Sequence, residues 1–376
     1  MISREYLKTL ASYQNEKGLM LTASLTTSRL DDWRQTAPTF LNSEFGRLVR
    51  ERKLEKDDRR TLDEDFQKIL DVLHYEVEQQ TQGLVVIADG SQGLFERVQL
   101  PLRLHNRLIL EPHPYIRPLV HASAVMEPFL VVRVSRDESS IYVVDWWQLA
   151  GEHDFTGPYL RSGDRETGDV PVKEYYAAAR QESLVEQHFK DVGQALDRLV
   201  EETGIRRVVL CGQHDIAVNF RKLLSIRANS RVVAQIPSDA AASLNQLLVA
   251  ARSAIQDARV EELRQMAQRV YEGLGPQGLG VAGFDQTMQA LSLGQVQTLL
   301  VERGYRPPGC MCVHDGLIRT IEEASCPICA GEVVPLDDVL GEAVRTAILQ
   351  GADVEVVEGV ELLREMGGVA ALLRYK

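Results

Sequence analysis

The sequence predicts an α/β protein of three modules, residues 1–127, 128–272 and 273–376, each with a mixed sheet, and a small cysteine-bearing insertion at 306–333. Three observations carry this expectation. Short apolar runs bounded by turn-forming residues, such as GLVVIAD (83–89) and IRRVVLCG (205–212), have the length of buried strands. They alternate with longer stretches at helical period, which is the pattern of α/β architecture. Four of the five cysteines, Cys310, Cys312, Cys326 and Cys329, fall close together in the last module.

In chain order, residues 3–14 read as a short helix, GLMLTASLTT (18–27) as a buried strand, and Asp31-Asp32 as a helix start. Residues 40–80 read as two charged amphipathic helices broken near Lys56-Asp57-Asp58. GLVVIAD and LFERVQL (94–100) form a hairpin. Pro101, Pro112, Pro114 and Pro118 mark irregular connections rather than helix interiors.

The second module opens with strands FLVVRVS (129–135) and SIYVVDWW (140–147); Trp146 and Trp147 end the latter, with at least one in the core. Residues 150–172 are polar and rich in Gly, Asp and Ser, and read as a long exposed loop. A helix over 174–203, a strand at 205–212, a helix from Ile216 and a strand at 231–237 complete a β-β-loop-α-β-α-β order. A long helix spans 239–272, capped by Ser238 or Asp239. The glycines of 273–283 are a hinge between modules, because a helix rather than a strand precedes them. The last module reads helix-strand over 284–301, the cysteine insertion, helix-strand over 336–357, then a helix, Gly367-Gly368 and a terminal strand.

Composition narrows the function. The 376 residues are 44% hydrophobic and 26% charged, an ordinary globular balance. Net charge is −12 and aromatics are 6%, which argues against bulk-charge binding to naked nucleic acid or to an anionic membrane surface. The acidity is uneven: residues 276–376 carry −7, and residues 1–275 only −5. No run reaches the roughly 18 apolar residues of a membrane helix, and the N-terminus lacks a signal-peptide core, so the expected location is cytoplasmic.

In a reducing compartment four clustered cysteines read as a metal site before disulfides. Cys-Met-Cys (310–312) and Cys-Pro-Ile-Cys (326–329) resemble the paired knuckles of a zinc ribbon. The first pair has one intervening residue, fewer than usual, so His314 is an alternative to Cys310 or Cys312. Four protein ligands make such a zinc structural. Gly212-Gln213-His214-Asp215 reads as an ordinary β-α turn, and Cys211 as a small buried residue. No dinucleotide, phosphate-loop, His-Glu-x-x-His or Gly-x-Ser-x-Gly motif is present, so no catalytic residue and no small-molecule substrate are assigned. The basic run from Arg47 to Arg60 is diluted by acids and reads as a solvated helix face.

The last third carries a resemblance. GFDQTMQALSLGQVQTLLV, the paired cysteines, LGEAVRTAILQGADVEVVEG and above all the ending MGGVAALLRY resemble the C-terminal domain of archaeal and eukaryotic class-1 release factors and Pelota. VVLCGQHDIAVNFRKLL, with the long helix after RVVAQIP, is similar to their second domain. The chain looks like the bacterial members of that superfamily, which include a ribosome hibernation factor. The resemblance implies three release-factor/Pelota-type α/β domains and a zinc-bearing insertion.

Release factors of the family place a Gly-Gly-Gln loop of the middle domain at the peptidyl-tRNA ester. The matching place here reads Gly157-Pro158-Tyr159-Leu160-Arg161-Ser162-Gly163-Asp164-Arg165, without that tripeptide. The resemblance therefore implies a non-enzymatic factor that occupies the ribosomal A site in hibernation or rescue. Tyr159, Arg161, Arg165 and Lys173 are its expected rRNA contacts, and a translation GTPase such as elongation factor Tu its expected protein partner. The alternatives are a peptidyl-tRNA hydrolase or release factor using another residue of the loop or Gln213, and a zinc-containing stress-related interaction module.

Overall fold

Strand GLVVIAD has no polar residue before its last position, and the structure, a computed structural model, buries all of it. The structure describes residues 2–376 apart from 16–17, 53, 55, 158–170, 238–241, 308, 315, 320–324 and 337, and apart from the side chains of 171–179. The chain divides into two compact units: Met1–Val125 with Glu262–Lys376, and Met126–Glu261.

The first part of the first unit runs α1 (Arg4–Ser12), β1 (Met20–Thr26), α2 (Trp33–Glu51), α3 (Lys56–Tyr75), β2 (Gly83–Asp89), β3 (Leu94–Leu100), β4 (Arg107–Glu111) and α4 (Arg117–Val125). The strands lie in the order β3-β2-β1-β4 and every pairing is antiparallel, so this sheet is not the mixed one expected of the first module. Side chains alternate across a sheet. Leu21, Ala23 and Leu25 of β1 therefore share a face with Leu84, Val86 and Ala88, and pack against Leu41, Phe45, Phe66 and Ile69 of α2 and α3. Phe45 and Phe66 stack at 4.1 Å. Two elements correct the reading of the proline stretch. RLILE forms β4, and α4 starts with Pro118 at its second position, where the missing N–H has no intrahelical partner to lose.

The second unit holds β5 (Phe129–Arg133), β6 (Glu138–Asp145), β7 (Gln148–Thr156), α5 (Pro171–Thr203), β8 (Val208–Gly212), α6 (His214–Leu223), α7 (Ile226–Arg231), β9 (Val232–Pro237) and most of α8 (Leu244–Glu272). Its sheet order is β7-β6-β5-β8-β9, parallel from β5 to β9 and antiparallel from β5 to β7. β5 is covered on both faces. Leu130 and Val132 meet Phe189, Leu196 and Phe220 of α5 and α6, while Phe129 and Val131 meet Leu247, Ala251 and Ile255 of α8.

Two expectations change here. Residues 148–156 are not loop but the edge strand β7, mostly exposed along its length. A strand with water on most sides has no apolar alternation to read. Trp146 and Trp147 leave the strand with φ of 51° and 60° and form the two-residue turn between β6 and β7. Such a turn favours Asn-Gly, so the paired tryptophans are strained. Arg252 holds the turn, its guanidinium 4.8 Å from the Trp147 ring and donating to the Trp147 carbonyl.

The rest of the first unit runs β10 (Gly280–Ala282), α9 (Phe284–Ser292), β11 (Val296–Glu302), β12 (Gly309–Cys312), β13 (Ile318–Arg319), β14 (Val333–Leu336), α10 (Val339–Leu349), β15 (Asp353–Val357), α11 (Glu361–Glu365) and β16 (Val369–Leu373). β10, β16, β11 and β15 form one sheet in that order, and β13-β12-β14 a separate small one. The glycine stretch read as a hinge thus contributes a strand, β10, paired with β16. Among the described residues no helix is long and apolar enough to cross a membrane.

Candidate functional site

The small sheet brings cysteines together. Sγ atoms of Cys312, Cys326 and Cys329 all lie within 4.8 Å of one another, with Cys312 and Cys329 at 3.5 Å. Thiolates at ~2.3 Å from a tetrahedral zinc sit about 3.8 Å apart, so the spacing fits. Two tight turns aim the sulfurs. Gly316 N–H donates to the Cys312 carbonyl, and Ala330 N–H to the Cys326 carbonyl with Ala330 itself at φ 56°. Ile328 N–H points at Cys326 Sγ at 3.4 Å, the bond that stabilises a thiolate in a Cys-x-x-Cys knuckle. A Cβ on Gly331 would lie 3.1 Å from Cys329 Sγ and 3.5 Å from Cys312 Sγ, so a side chain there would crowd the group and require a shift of a few tenths of an ångström.

Cys310 is not in this group. It is buried on β12 two residues before Cys312, on the same strand face but one repeat, ~6.8 Å, away. His314 lies on the other side of Cys312, its Cβ 3.2 Å from the position a Gly331 Cβ would take. Of the two substitutions the spacing left open, the convergence of Cys312 with Cys326 and Cys329 favours His314 in place of Cys310. Among the described residues of 306–336 the buried side chains of this kind are Cys310, Cys312, Ile318 and Cys326. That is far too little apolar surface to hold a sheet, so the insertion fits a fold stabilised by a metal.

In the second unit, the segment matched to the family's catalytic loop joins β7 to α5. Its approach is anchored by Gly157 N–H donating to the Asp137 carbonyl. Tyr159, Arg161 and Arg165 fall outside the described residues. Lys173 lies in the first turn of α5, its side chain likewise outside. Gly212 is glycine for packing: a Cβ there would lie 2.5 Å from the Val134 carbonyl oxygen. Gln213 is exposed at the N-terminal cap of α6 and makes no side-chain cap bond. Burial pushes the Cys211 thiol up to about 12, which makes it inert at neutral pH. A serine–histidine pair does occur, Ser139 Oγ to His188 Nε2 at 2.9 Å, but the residues are 2% and 5% exposed, so no ester reaches them.

Sequence reasoning missed a buried polar network in the first unit. Asp338 caps α10, accepting from Leu340 and Gly341 N–H, and its other oxygen accepts from Tyr115 Oη and Arg117 Nη1, each at 2.8 Å. Arg117 Nη2 also donates to the carbonyls of Glu302, Arg303 and Tyr305. Four residues along α10, Glu342 meets His113 Nε2 at 2.8 Å and Arg345 Nη1 at 2.9 Å. Burial acts to raise the Glu342 carboxyl, but His113 and Arg345 outweigh it and hold it below its ordinary value. Tyr115 and Asp338 are over two hundred residues apart. The only local signal was Asp338 ahead of an apolar helix.

Comparison with known proteins adds the following. Residues 114–256 match the profile of bacterial archaeo-eukaryotic release factor family 10. The peptide chain release factor subunit 1 of Thermococcus sibiricus is 23% identical over 289 residues, covering 69% of each chain. The protein pelota homolog of Methanopyrus kandleri is 26% identical over 261 residues, covering 66% of this chain and 62% of that protein. Among solved structures, archaeal Pelota in a ribosome-bound complex with ABCE1 is 16% identical and covers 100% of this chain and 94% of that one, with a TM-score of 0.42.

Proposed function

We propose that this chain, a member of the archaeo-eukaryotic release factor and Pelota superfamily, is a translation factor that occupies the A site of idle or stalled ribosomes without hydrolysing peptidyl-tRNA. One observation carries the second half of that reading. The segment between β7 and α5 opens Gly157-Pro158-Tyr159 and contains no Gly-Gly-Gln. Ester hydrolysis needs a preorganised backbone and side chain that place water and stabilise the developing charge. Among the described groups of the second unit, Cys211 and the Ser139–His188 pair are sealed and offer no substitute, which leaves the exposed Gln213.

Arg161, Arg165 and Lys173, with Tyr159, would meet rRNA phosphates and bases as individual contacts from a segment whose three cations are balanced by Asp164, Glu166 and Asp169. The −7 charge of the last hundred residues suits a protein partner, of which a translation GTPase such as elongation factor Tu is the class we favour. Zinc would be held by Cys312, Cys326 and Cys329, with His314 or Cys310 as fourth ligand, and would supply the folding free energy the small sheet lacks. The location consistent with this role is the cytoplasm.

Sucrose-gradient sedimentation of ribosomes from starved and growing cells tests the reading. The chain should co-migrate with 70S particles from starved cells, and purified protein should release no peptide from programmed ribosomes. Absence from all ribosomal fractions overturns the binding role. Turnover lost on Gln213→Ala would instead establish the hydrolase reading, which the exposed Gln213 at the carboxyl end of β8 keeps open.

A further inference from the structure

Beside the Arg117–Asp338 bond, a cavity of about 30 Å³ opens to solvent. Its charged and imidazole groups come from three places: His105 and Arg107 at and just before the start of β4, Arg117 and His121 on α4, and Arg303 and Arg306 after β11, while Ser24 of β1 and Val356 of β15 also line it. Four arginines thus surround it, while two carboxylates, Asp338 and Glu358, bond to them.

Those carboxylates are already engaged. Asp338 serves Tyr115, Arg117 and the α10 N-terminus, and Glu358 takes Arg303 Nη1 at 2.7 Å. Arg306 is left over. Its Nε and Nη1 are buried without a hydrogen-bond partner, and the carboxylate oxygen of a described residue paired with it, on Asp338, is 3.9 Å from Nε. Buried guanidinium donors without an acceptor are costly and rarely left so. The Arg107 side chain is exposed where it lines the cavity, and it makes no hydrogen bond or ion pair with any described residue. His105 reports the same field. Burial, then Arg303, Arg107 and Arg117, hold its pKa below the ordinary imidazole value.

We propose that this cavity binds a single phosphoryl oxyanion, with Arg306 and Arg107 as its hydrogen-bonding ligands and Arg117 and Arg303 as fixed positive charge. Shape selects the ligand class. The volume holds two or three water-sized spheres of ~10–15 Å³ each, which suits one tetrahedral group and excludes a nucleoside. Guanidinium groups arriving from three directions match a tetrahedral oxyanion better than a planar carboxylate, which one arginine fork satisfies. The site is independent of the ribosomal reading, since it needs only the first unit. Free phosphate and an RNA phosphodiester present the same chemistry.

Calorimetric titration of the full chain with inorganic phosphate at constant ionic strength tests it. Binding should saturate, be competed by sulfate and not by acetate, and weaken at least about tenfold in the Arg107→Gln/Arg306→Gln variant. Circular dichroism melting of the variant checks that it folds, and Arg306→Lys should recover part of the affinity. Displacement of phosphate by a 5′-hydroxyl oligouridylate assigns an RNA backbone as the source, and displacement by phosphate monoesters alone assigns a free ligand. Failure of the wild type to saturate, or equal affinity in the double variant, overturns the site.

Discussion

The sheet β1–β4 and the small sheet β12–β14 are both antiparallel, yet they bury very different side chains. β2 is buried along its whole length, and α2 and α3 lay Leu41, Phe45, Phe66 and Ile69 over the neighbouring face. At roughly 1.5–3 kcal/mol per buried large apolar side chain, such a sheet needs no further support. The small sheet buries Ile318 and cysteines among its described residues, and its three close sulfurs stand where the other sheet has leucines. Under the zinc reading proposed above, the comparison teaches that one chain can place a hydrophobic and a metal-type solution in the same unit, and that each should fail separately.

The largest effect is expected from removing the metal-type solution. Structural zinc contributes on the order of 10–16 kcal/mol in small metal-folded peptides. Cys326→Ser, or chelation of the wild type, should abolish bound zinc by elemental analysis. It should also erase hydrogen-exchange protection over 309–336 while protection of β2 persists. Cys310→Ser and His314→Ala then identify the fourth ligand, whichever lowers zinc content more. Retained protection at β12 after chelation would break the comparison, because the small sheet would then stand without metal.

Asp338 lies just past the small sheet yet belongs to the other regime. It caps α10 and satisfies the buried Arg117. Asp338→Ala leaves that guanidinium charge uncompensated, at a cost of about 3–5 kcal/mol. The expected result is a lower urea midpoint for the whole first unit with zinc content unchanged, the reverse of the Cys326→Ser signature. Zinc lost in step with stability would show that the insertion and the buried network are one cooperative element.

What the sequence disclosed follows the same division. Uninterrupted apolar runs such as GLVVIAD and FLVVRVS announced β2 and β5, because burial on both faces leaves no room for polar residues. β7 was invisible, since an exposed edge strand reads like a loop, and β4 and α4 hid among prolines that local geometry tolerates. The paired cysteines pointed to a metal, but their spacing placed Cys310 and Cys312 alike in the ligand set. The structure shows Cys312, Cys326 and Cys329 converging and leaves Cys310 and His314 as candidates for the fourth place. The arginine cavity and the Arg117–Asp338 bond join residues far apart in the chain, and a single sequence holds no record of such pairs.

The smallest effect sharpens the buried-network side of the contrast. Glu342 is almost wholly buried on α10 and meets His113 and Arg345. Its burial alone would raise the carboxyl pKa; the two cationic or donating partners reverse that, so the folded value lies below the ordinary 4.5. A carboxyl whose pKa is depressed on folding binds protons more readily when unfolded. Its stabilising contribution is therefore complete above the unfolded value and is lost as pH falls through the lower, folded one. Wild-type urea midpoints should fall more steeply than those of Glu342→Gln between about pH 6 and pH 3, and the two should run parallel above that range. Parallel curves throughout would mean that the carboxylate is not held ionised by His113 and Arg345. The buried network would then stabilise through Asp338 alone.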